Sequence, residues 1–392
     1  MTVERTYDLL NAGPRNRFMA NGRIVSNSGR LFQPQNMKRP DLKQAAIDIG
    51  IEAIKSGHEA LIHADVMGLL GDVARGCIIA PPGHKLVAAD LANIEGRMLA
   101  FLAGEEWKLE AFRAFDAGTG PDLYKVSYGR SFSIDPEQAT GDKRQIGKVT
   151  ELSMGFQGWV GAFVSMAAIY KMDLEAMAVA VFAAASQEAA SRARRYAAKA
   201  VAEGNAYGLS EAVYAACSIV ALQWREAHPA TRALWGELER AFIAATHNEG
   251  VVFRAGEFLA LRRDGPWLRM RLPSGRYICY LHPKVDSEGK ASYMGVDSYS
   301  RKWKRLFTFG GKLTENAVSG ASRDVLADAM PRVEAAGYAI VLTVHDEIIT
   351  EVPDEPEFSA DGLSALMSAP IAWAPGLPLA AKGFEAARYR KD

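Results

Sequence analysis

An α+β fold, an antiparallel sheet divided by a large helical insertion, is the class that this 392-residue sequence predicts. Three observations carry the expectation. Strand signals occur towards both ends, in "HKLVAAD" and in "AIVLTVHDEIITEV", where short apolar runs adjoin charged residues. Between them, from Ala162 to about Ala245, the chain is alanine-rich and nearly free of glycine and proline, with Arg192, Arg194, Arg195 and Lys199 recurring at helical spacing. With 49% hydrophobic and 23% charged residues, the chain is long enough for more than one core.

In chain order, "HKLVAAD" reads as a strand running directly into "LANIEGRMLAFLAGEEWKLEAF", whose apolar residues fall at helical spacing. The alanine-rich block follows as a group of helices. "RAGEFLALRRDGPWLRMRLPSGRYICYLHP" and "ASYMGV" then alternate β-formers with polar residues, and "DGP" and "PSG" mark turns. "LTENAVSGASRDVLADAMPRVEAAGY" reads as one helix ended by Gly337. The last strand pair, around "TVHDEIITEVP", reads as a hairpin with His345, Asp346 and Glu347 at its tip.

Formal net charge is zero, so any nucleic-acid footprint has to come from local clusters. Two such clusters are "SRARRYAAKA" and "SYSRKWKRLF", the second with Trp303 among cations. Cys77, Cys217 and Cys279 are far apart and lack the spacing of a disulfide framework or a zinc site. The N-terminus lacks a basic-then-apolar signal pattern, and "AMAVAVFAAA" is shorter than the roughly 18 to 20 residues of a membrane span. A cytoplasmic chain with no membrane partner is expected.

Three stretches carry chemistry. Asp90 closes its strand and Asp346 sits at its hairpin turn; if the strands are neighbours, both carboxylates project from one edge. Close carboxylates resist joint ionisation unless a cation neutralises them, and hard oxygen ligands suit Mg²⁺. The plain alternative makes Asp90 a helix cap and Asp346 and Glu347 turn residues. In "KRQIGKVTELSMGFQGWVGAF", Arg144, Lys148, Leu152 and Phe156 recur every fourth position, drifting about 40° per step around a helix. Two cations followed by a ring match a triphosphate and a stacked base, although a solvated basic edge is the commoner fate of such a pattern.

In this order and at these separations the stretches resemble motifs A, B and C of the family A DNA polymerases: "DLANIEGRMLAFLAGE", "RQIGKVTELSMGFQG" and "HDE". "TGPDLYKVSYGRSF", "LPSGR", "FGGKLTENAVSGASRDVL" and "PGLPLAAKGFEAARYRK" look like connecting segments of phage-type members, and the resemblance runs from "GRLFQPQN" to the C-terminus. It implies a right-hand architecture: a palm from residues 1–115 and 256–392, with helical fingers over 116–255. It also implies addition of deoxynucleoside triphosphates to a primer 3′ end on template DNA, with two Mg²⁺ ions, which Mn²⁺ can replace, held by Asp90 and Asp346 and supported by Glu347. Arg144 and Lys148 would clamp the triphosphate, Phe156 would stack on the base, and Glu95 would crowd the sugar's C2′ against a 2′-hydroxyl. The resemblance assigns DNA contacts to His345, Arg97, Ser319 and the segment "SGRLFQPQNMKRP", with Gln35, Asn36 and either Arg23 or, preferred, Arg30.

The sequence departs from the family pattern at several points. Phe156 replaces a tyrosine, keeping the ring and losing a hydroxyl; Leu152 stands where an aromatic often meets the sugar; Ser319 stands where a glutamine commonly reaches the minor groove. The chain starts almost at the palm, so the expectation is a polymerase without proofreading whose thumb or exonuclease belongs to a separate chain, a natural reduction, or a decayed copy. The rivals are a non-catalytic or partner-dependent DNA-binding remnant and a two-metal nuclease, against which Arg144 and Lys148 argue. The expected setting is a bacterial or phage-infected cytoplasm.

Overall fold

The structure, a computed structural model, describes residues 17–20, 23–26, 37, 40–297 and 300–390, the first two stretches as backbone only. Strands β1 (Arg17–Ala20) and β2 (Arg23–Ser26) pair as a hairpin. Helices α1 (Gln44–Ser56), α2 (Glu59–Ile62) and α3 (Val66–Val73) follow, and Leu69 and Val73 bury against Ile47. Strand β3 (His84–Leu91) runs into α4 (Ile94–Ala103) and α5 (Glu106–Asp116), as the apolar pattern predicts.

The helical block comprises α6 (Leu123–Phe132), α7 (Asp142–Met154), α8 (Val160–Ile169), α9 (Leu174–Ala184), α10 (Gln187–Ala202), α11 (Glu211–Ala227) and α12 (Pro229–His247). Its sequence sets the boundaries locally. Asp122, Asp173, Ser186 and Ser210 each accept first-turn backbone N–H groups and so start α6, α9, α10 and α11. Pro229 opens α12, where a missing N–H costs nothing. Alanines 190, 193, 197 and 200 form the buried stripe of α10, and their small side chains allow close packing on α11.

Two sheets frame this block. The first is a six-stranded antiparallel meander in sequence order: β4 (Val252–Ala255), β5 (Leu259–Asp264), β6 (Trp267–Arg271), β7 (Tyr277–Val285), β8 (Ala291–Val296) and β9 (Trp303–Thr308). After it come α13 (Gly310–Ala335), β10 (Ala339–Val344), β11 (Glu347–Pro353), α14 (Ala360–Met367) and β12 (Ala381–Ala386). The second sheet has the order β10-β11-β3-β12, all antiparallel, and thereby joins strands from either side of the helical block.

Apolar packing falls into two main clusters. One joins the inner faces of both sheets to α4, α12, α13 and α14 through Val87, Met98, Leu261, Met270, Val325 and Ile348. The other lies within the helices, around Val149, Phe163, Ile219 and Trp224. Helix α12 serves both: Leu234 and Leu238 enter the first cluster and Trp235 the second. Sequence reasoning ends the insertion at residue 255, after this helix; the packing makes α12 common to both parts.

Candidate active site

The second sheet brings the acidic stretches together. Strand β11 pairs with β3 so that Glu347 lies opposite Asp90, and the Leu91 N–H donates to the Asp346 carbonyl oxygen at 3.2 Å. Asp346 therefore sits beside the end of β3. The connecting turn, His345 and Asp346, is two residues long, and His345 adopts a left-handed φ of 54° that permits so tight a reversal. His345 is exposed, while Asp90 and Asp346 are half-buried. Strand β3 ends at Leu91, one residue beyond the expected end. The cap position of α4 is Asn93, so capping does not account for Asp90.

Sequence reasoning missed two neighbours. Lys382 of β12 lies opposite Asp90 from the other side, setting a cation beside the acidic pair. Glu347 is 2% exposed and accepts a 2.5 Å hydrogen bond from the Tyr389 hydroxyl. Burial, then the adjacent carboxylate, pushes the Tyr389 hydroxyl well above its ordinary range, so it keeps its proton and remains a donor. The pairing of β12 on β3 and the bridge between Ile79 and Arg388 bring the C-terminal segment here, relations that no local sequence signal encodes. Among the described residues, no group of three or more His, Cys, Asp and Glu side chains is arranged to hold a metal ion. Two oxygen-donor carboxylates at one sheet end do fit Mg²⁺, which takes its remaining ligands from water and phosphate.

Helix α7 carries the cations. Arg144 Nε donates to Asp122 Oδ2 at 2.8 Å and its guanidinium lies over Tyr124, while the Lys148 ammonium lies 4.4 Å from the Tyr170 ring centre. Leu152 is 41% exposed on the same side. The expected one-face array stops there, because α7 ends at Met154. Phe156 lies in the following turn, half-buried against the sheet-side cluster. Two features break the helix. Gln157 takes a left-handed φ of 65°, and a Cβ on Gly158 would sit 1.9 Å from the Ser153 carbonyl oxygen. The start of α13 locks this turn: Gly311 N–H donates to Gln157 Oε1 at 2.8 Å, and a Cβ on Gly311 would meet the Phe156 carbonyl oxygen at 2.4 Å.

Below the cations, Glu151 anchors α7. It accepts hydrogen bonds from Lys108, from Ser127 Oγ at 2.5 Å and from Trp224 Nε1 at 2.8 Å, thereby tying α7 to α5, α6 and α11. His228 Nε2 lies 3.0 Å from Glu151 Oε1, without the alignment of a hydrogen bond. Burial opposes the charge on Glu151, but Lys108 and the adjacent His228 outweigh it and hold the carboxyl far below its ordinary range. Periodicity alone offered no sign of this, since Lys108 and Glu151 are separated by 43 positions.

Glu95 is exposed in the first turn of α4 and accepts a 3.0 Å hydrogen bond from Ser319 Oγ of α13. Arg97, expected at the DNA, is instead 2% exposed: Nη1 and Nη2 hold Asp116 at 2.6 and 2.7 Å, Nε donates to the Ala92 carbonyl oxygen, and the guanidinium lies over Phe112. A fork with two carboxylate bonds at this burial acts as an internal brace. Arg30, Gln35 and Asn36 lie outside the described residues, as does the side chain of Arg23. No helix among the described residues is long and apolar enough to cross a membrane.

No protein-family model matches the chain. A DNA polymerase of Bacillus phage SP02 is 35% identical over 375 residues, 93% of this chain and 50% of that protein. The DNA polymerase I of Pseudomonas aeruginosa is 32% identical over 80 residues, 20% of this chain and 8% of its own length. That of Mycobacterium tuberculosis H37Rv is 31% identical over 90 residues, 23% of this chain and 9% of its own. Among solved structures, the POL domain of Pol1 from M. smegmatis, in complex with DNA primer-template and dNTP, superposes with a TM-score of 0.51 at 17% identity. The match covers 94% of this chain and 46% of that one, a likeness of fold. The chain spans about half the length of the phage relative, and less of the others.

Proposed function

From its likeness to a phage DNA polymerase over 93% of the chain and to bacterial DNA polymerase I over shorter stretches, we propose that the chain is a family A DNA polymerase that extends a primer 3′ end by template-directed addition of deoxynucleoside triphosphates. The single observation that carries the reading is the β3–β11 pairing, which sets Asp90 opposite Glu347 and beside Asp346. Acidic groups 256 positions apart (346 less 90) have no folding reason to converge at one strand end, because like charges repel there.

In this reading Asp90 and Asp346 would hold Mg²⁺. The ions would supply activation of the primer 3′ oxygen and neutralisation of the departing pyrophosphate. Glu347, fixed by Tyr389, supports the acidic pair from within the sheet, and Lys382 limits its net charge. Arg144 and Lys148 bind the triphosphate after exchanging Asp122 and the Tyr170 ring for phosphate oxygens, a charge-assisted gain with little covalent work for the protein. Phe156 offers a ring to the base, Leu152 meets the nucleotide from the exposed side of α7, and Glu95 crowds the sugar. His345 and Ser319 face the primer-template, and Arg97 braces α4 from inside.

Primer extension on a defined template with Mg²⁺ tests the reading. The intact chain should extend, and Asp90→Ala and Asp346→Ala should each lose about a thousandfold or more in rate while still binding DNA, since several kcal/mol of charge stabilisation disappears. No extension by the unaltered chain, beside a working polymerase control, would overturn it; degradation of labelled DNA without nucleotides would favour a nuclease instead.

A further inference from the structure

The six-stranded sheet has an inner face of Leu259, Leu261, Leu268, Met270 and Tyr280 packed in the core. No element among the described residues covers its outer face, which carries an uneven charge. Register puts Arg262 directly opposite Arg269, and Arg271 opposite both Ala260 and Tyr277, with Arg254 next to Ala260 on the far side. All four arginines are exposed, and the carboxylate on this part of the face is Asp264. Asp264 is shared, accepting from Arg262 at 2.7 Å and from Arg269 at 3.3 Å. Among the described residues, Arg254 and Arg271 have neither an ion pair nor a hydrogen-bonding side-chain partner. Asp264 offsets the cross-strand repulsion between Arg262 and Arg269, and Arg254 and Arg271 leave this part of the face with a positive excess.

Such a face is completed by an anion with regularly spaced charges. Alternate residues on a strand repeat every about 7 Å, so the guanidinium groups form a lattice along and across the strands. Tyr277, 51% exposed, lies in the same cross-strand row as Arg254 and Arg271 and offers a ring to stack on. Cations that follow a phosphate backbone, interleaved with an aromatic on an open sheet, are the chemistry of single-strand recognition, whereas a duplex hides its base faces.

We propose that the outer face of the β4–β9 sheet binds a single nucleic-acid strand, its phosphates held by Arg254, Arg262, Arg269 and Arg271 and a base stacked on Tyr277. The site is separate from the acidic sheet end and goes beyond the polymerase reading. Binding rather than extension is measured, so the two can fail independently.

The test uses the full chain and an end-labelled oligodeoxythymidylate, read by fluorescence anisotropy across a salt series. Arg254→Gln/Arg269→Gln/Arg271→Gln should lower affinity and flatten the dependence of log affinity on log salt by about 2, from three lost contacts at about 0.7 each. The Arg→Lys triple variant should keep the slope, and its melting midpoint guards against a folding artefact. Tyr277→Ala should weaken binding about tenfold with the slope unchanged. Unaltered binding and slope in the Gln variant would overturn the proposal. So would an equal loss of slope in the Lys variant, or, with an end-labelled duplex run beside the oligodeoxythymidylate, a loss confined to the duplex.

Discussion

Ser319 Oγ donates a 3.0 Å hydrogen bond to Glu95 Oε1, linking the exposed side of α13 to the first turn of α4. The bond restricts a side chain whose proposed work is to occupy the space of a 2′-hydroxyl. Glu95→Ala should therefore raise the acceptance of ribonucleotides by about 10- to 200-fold, the range by which steric pockets discriminate small groups. Ser319→Ala should raise it about two- to tenfold, the worth of one hydrogen bond, and Ser319→Thr should restore the parent value. The readout is the ratio of kcat/KM for matched deoxy and ribo substrates. An unchanged ratio in Glu95→Ala would remove Glu95 from the selection.

Arg144 must leave Asp122 before it can meet a phosphate, and the Arg144 side chain is 41% exposed in that pair. Exposed pairs of this kind are worth about 0 to 1 kcal/mol. Asp122→Asn keeps a good cap for α6 while removing the competing charge. It should lower KM for the incoming nucleotide up to about fivefold with kcat little changed, whereas Arg144→Ala raises KM. Steady-state kinetics with one varied nucleotide separates these outcomes, and a raised KM in Asp122→Asn would contradict the exchange.

The Lys108–Glu151 pair is almost fully buried, with side chains 2% and 6% exposed. Glu151→Gln leaves the Lys108 ammonium without its counter-charge and should cost about 3 to 5 kcal/mol, read as a lower denaturant midpoint. The pH dependence has a fixed sign. Glu151 titrates lower in the folded chain than in the unfolded one, so its contribution is complete above the unfolded value of about 4.3 and drains away as pH falls towards the folded value. The parent should lose stability more steeply below about pH 4 than the Gln variant; parallel curves would show that Glu151 does not set the acid limit.

Tyr389→Phe removes a donor from a buried carboxylate without changing the ring. It should cost about 1 to 3 kcal/mol of stability and loosen Glu347, reducing extension more than DNA affinity. Thermal melting and primer extension at saturating DNA check the two halves. A variant that melts and extends as the parent does would leave Glu347 without need of its partner.

Much of this was legible in the chain because its signals are local. Alanine periodicity marks α10 and α11, the "DGP" and "PSG" turns mark the meander, and the apolar runs around "VHDE" mark a hairpin, although Glu347, expected at its tip, is the buried first residue of β11. Asp90, Asp346 and Glu347 could be selected before their strands were seen to pair. Sequence periodicity failed at Phe156 because it counts residues without seeing the backbone: the break comes from Gln157, Gly158 and the approach of Gly311. The family resemblance assigns Arg97 to the DNA, whereas the side chain is buried on Asp116, because a motif offset looks alike whether solvent or a carboxylate faces the guanidinium. Tyr389, Lys382 and the Glu151 cluster depend on contacts between distant segments, which a one-dimensional pattern does not contain.

Helix α12 places Leu234 in one cluster and Trp235 in the other, so adjacent residues of a single rod belong to different interiors. A cut at α12 consequently does not part the helical block cleanly from the sheets. A crossover inside α12 strands apolar surface on both products, and one beyond it leaves the donor half with half a foundation. Variation among such chains should accumulate at the meander's turns, with this rod inherited whole.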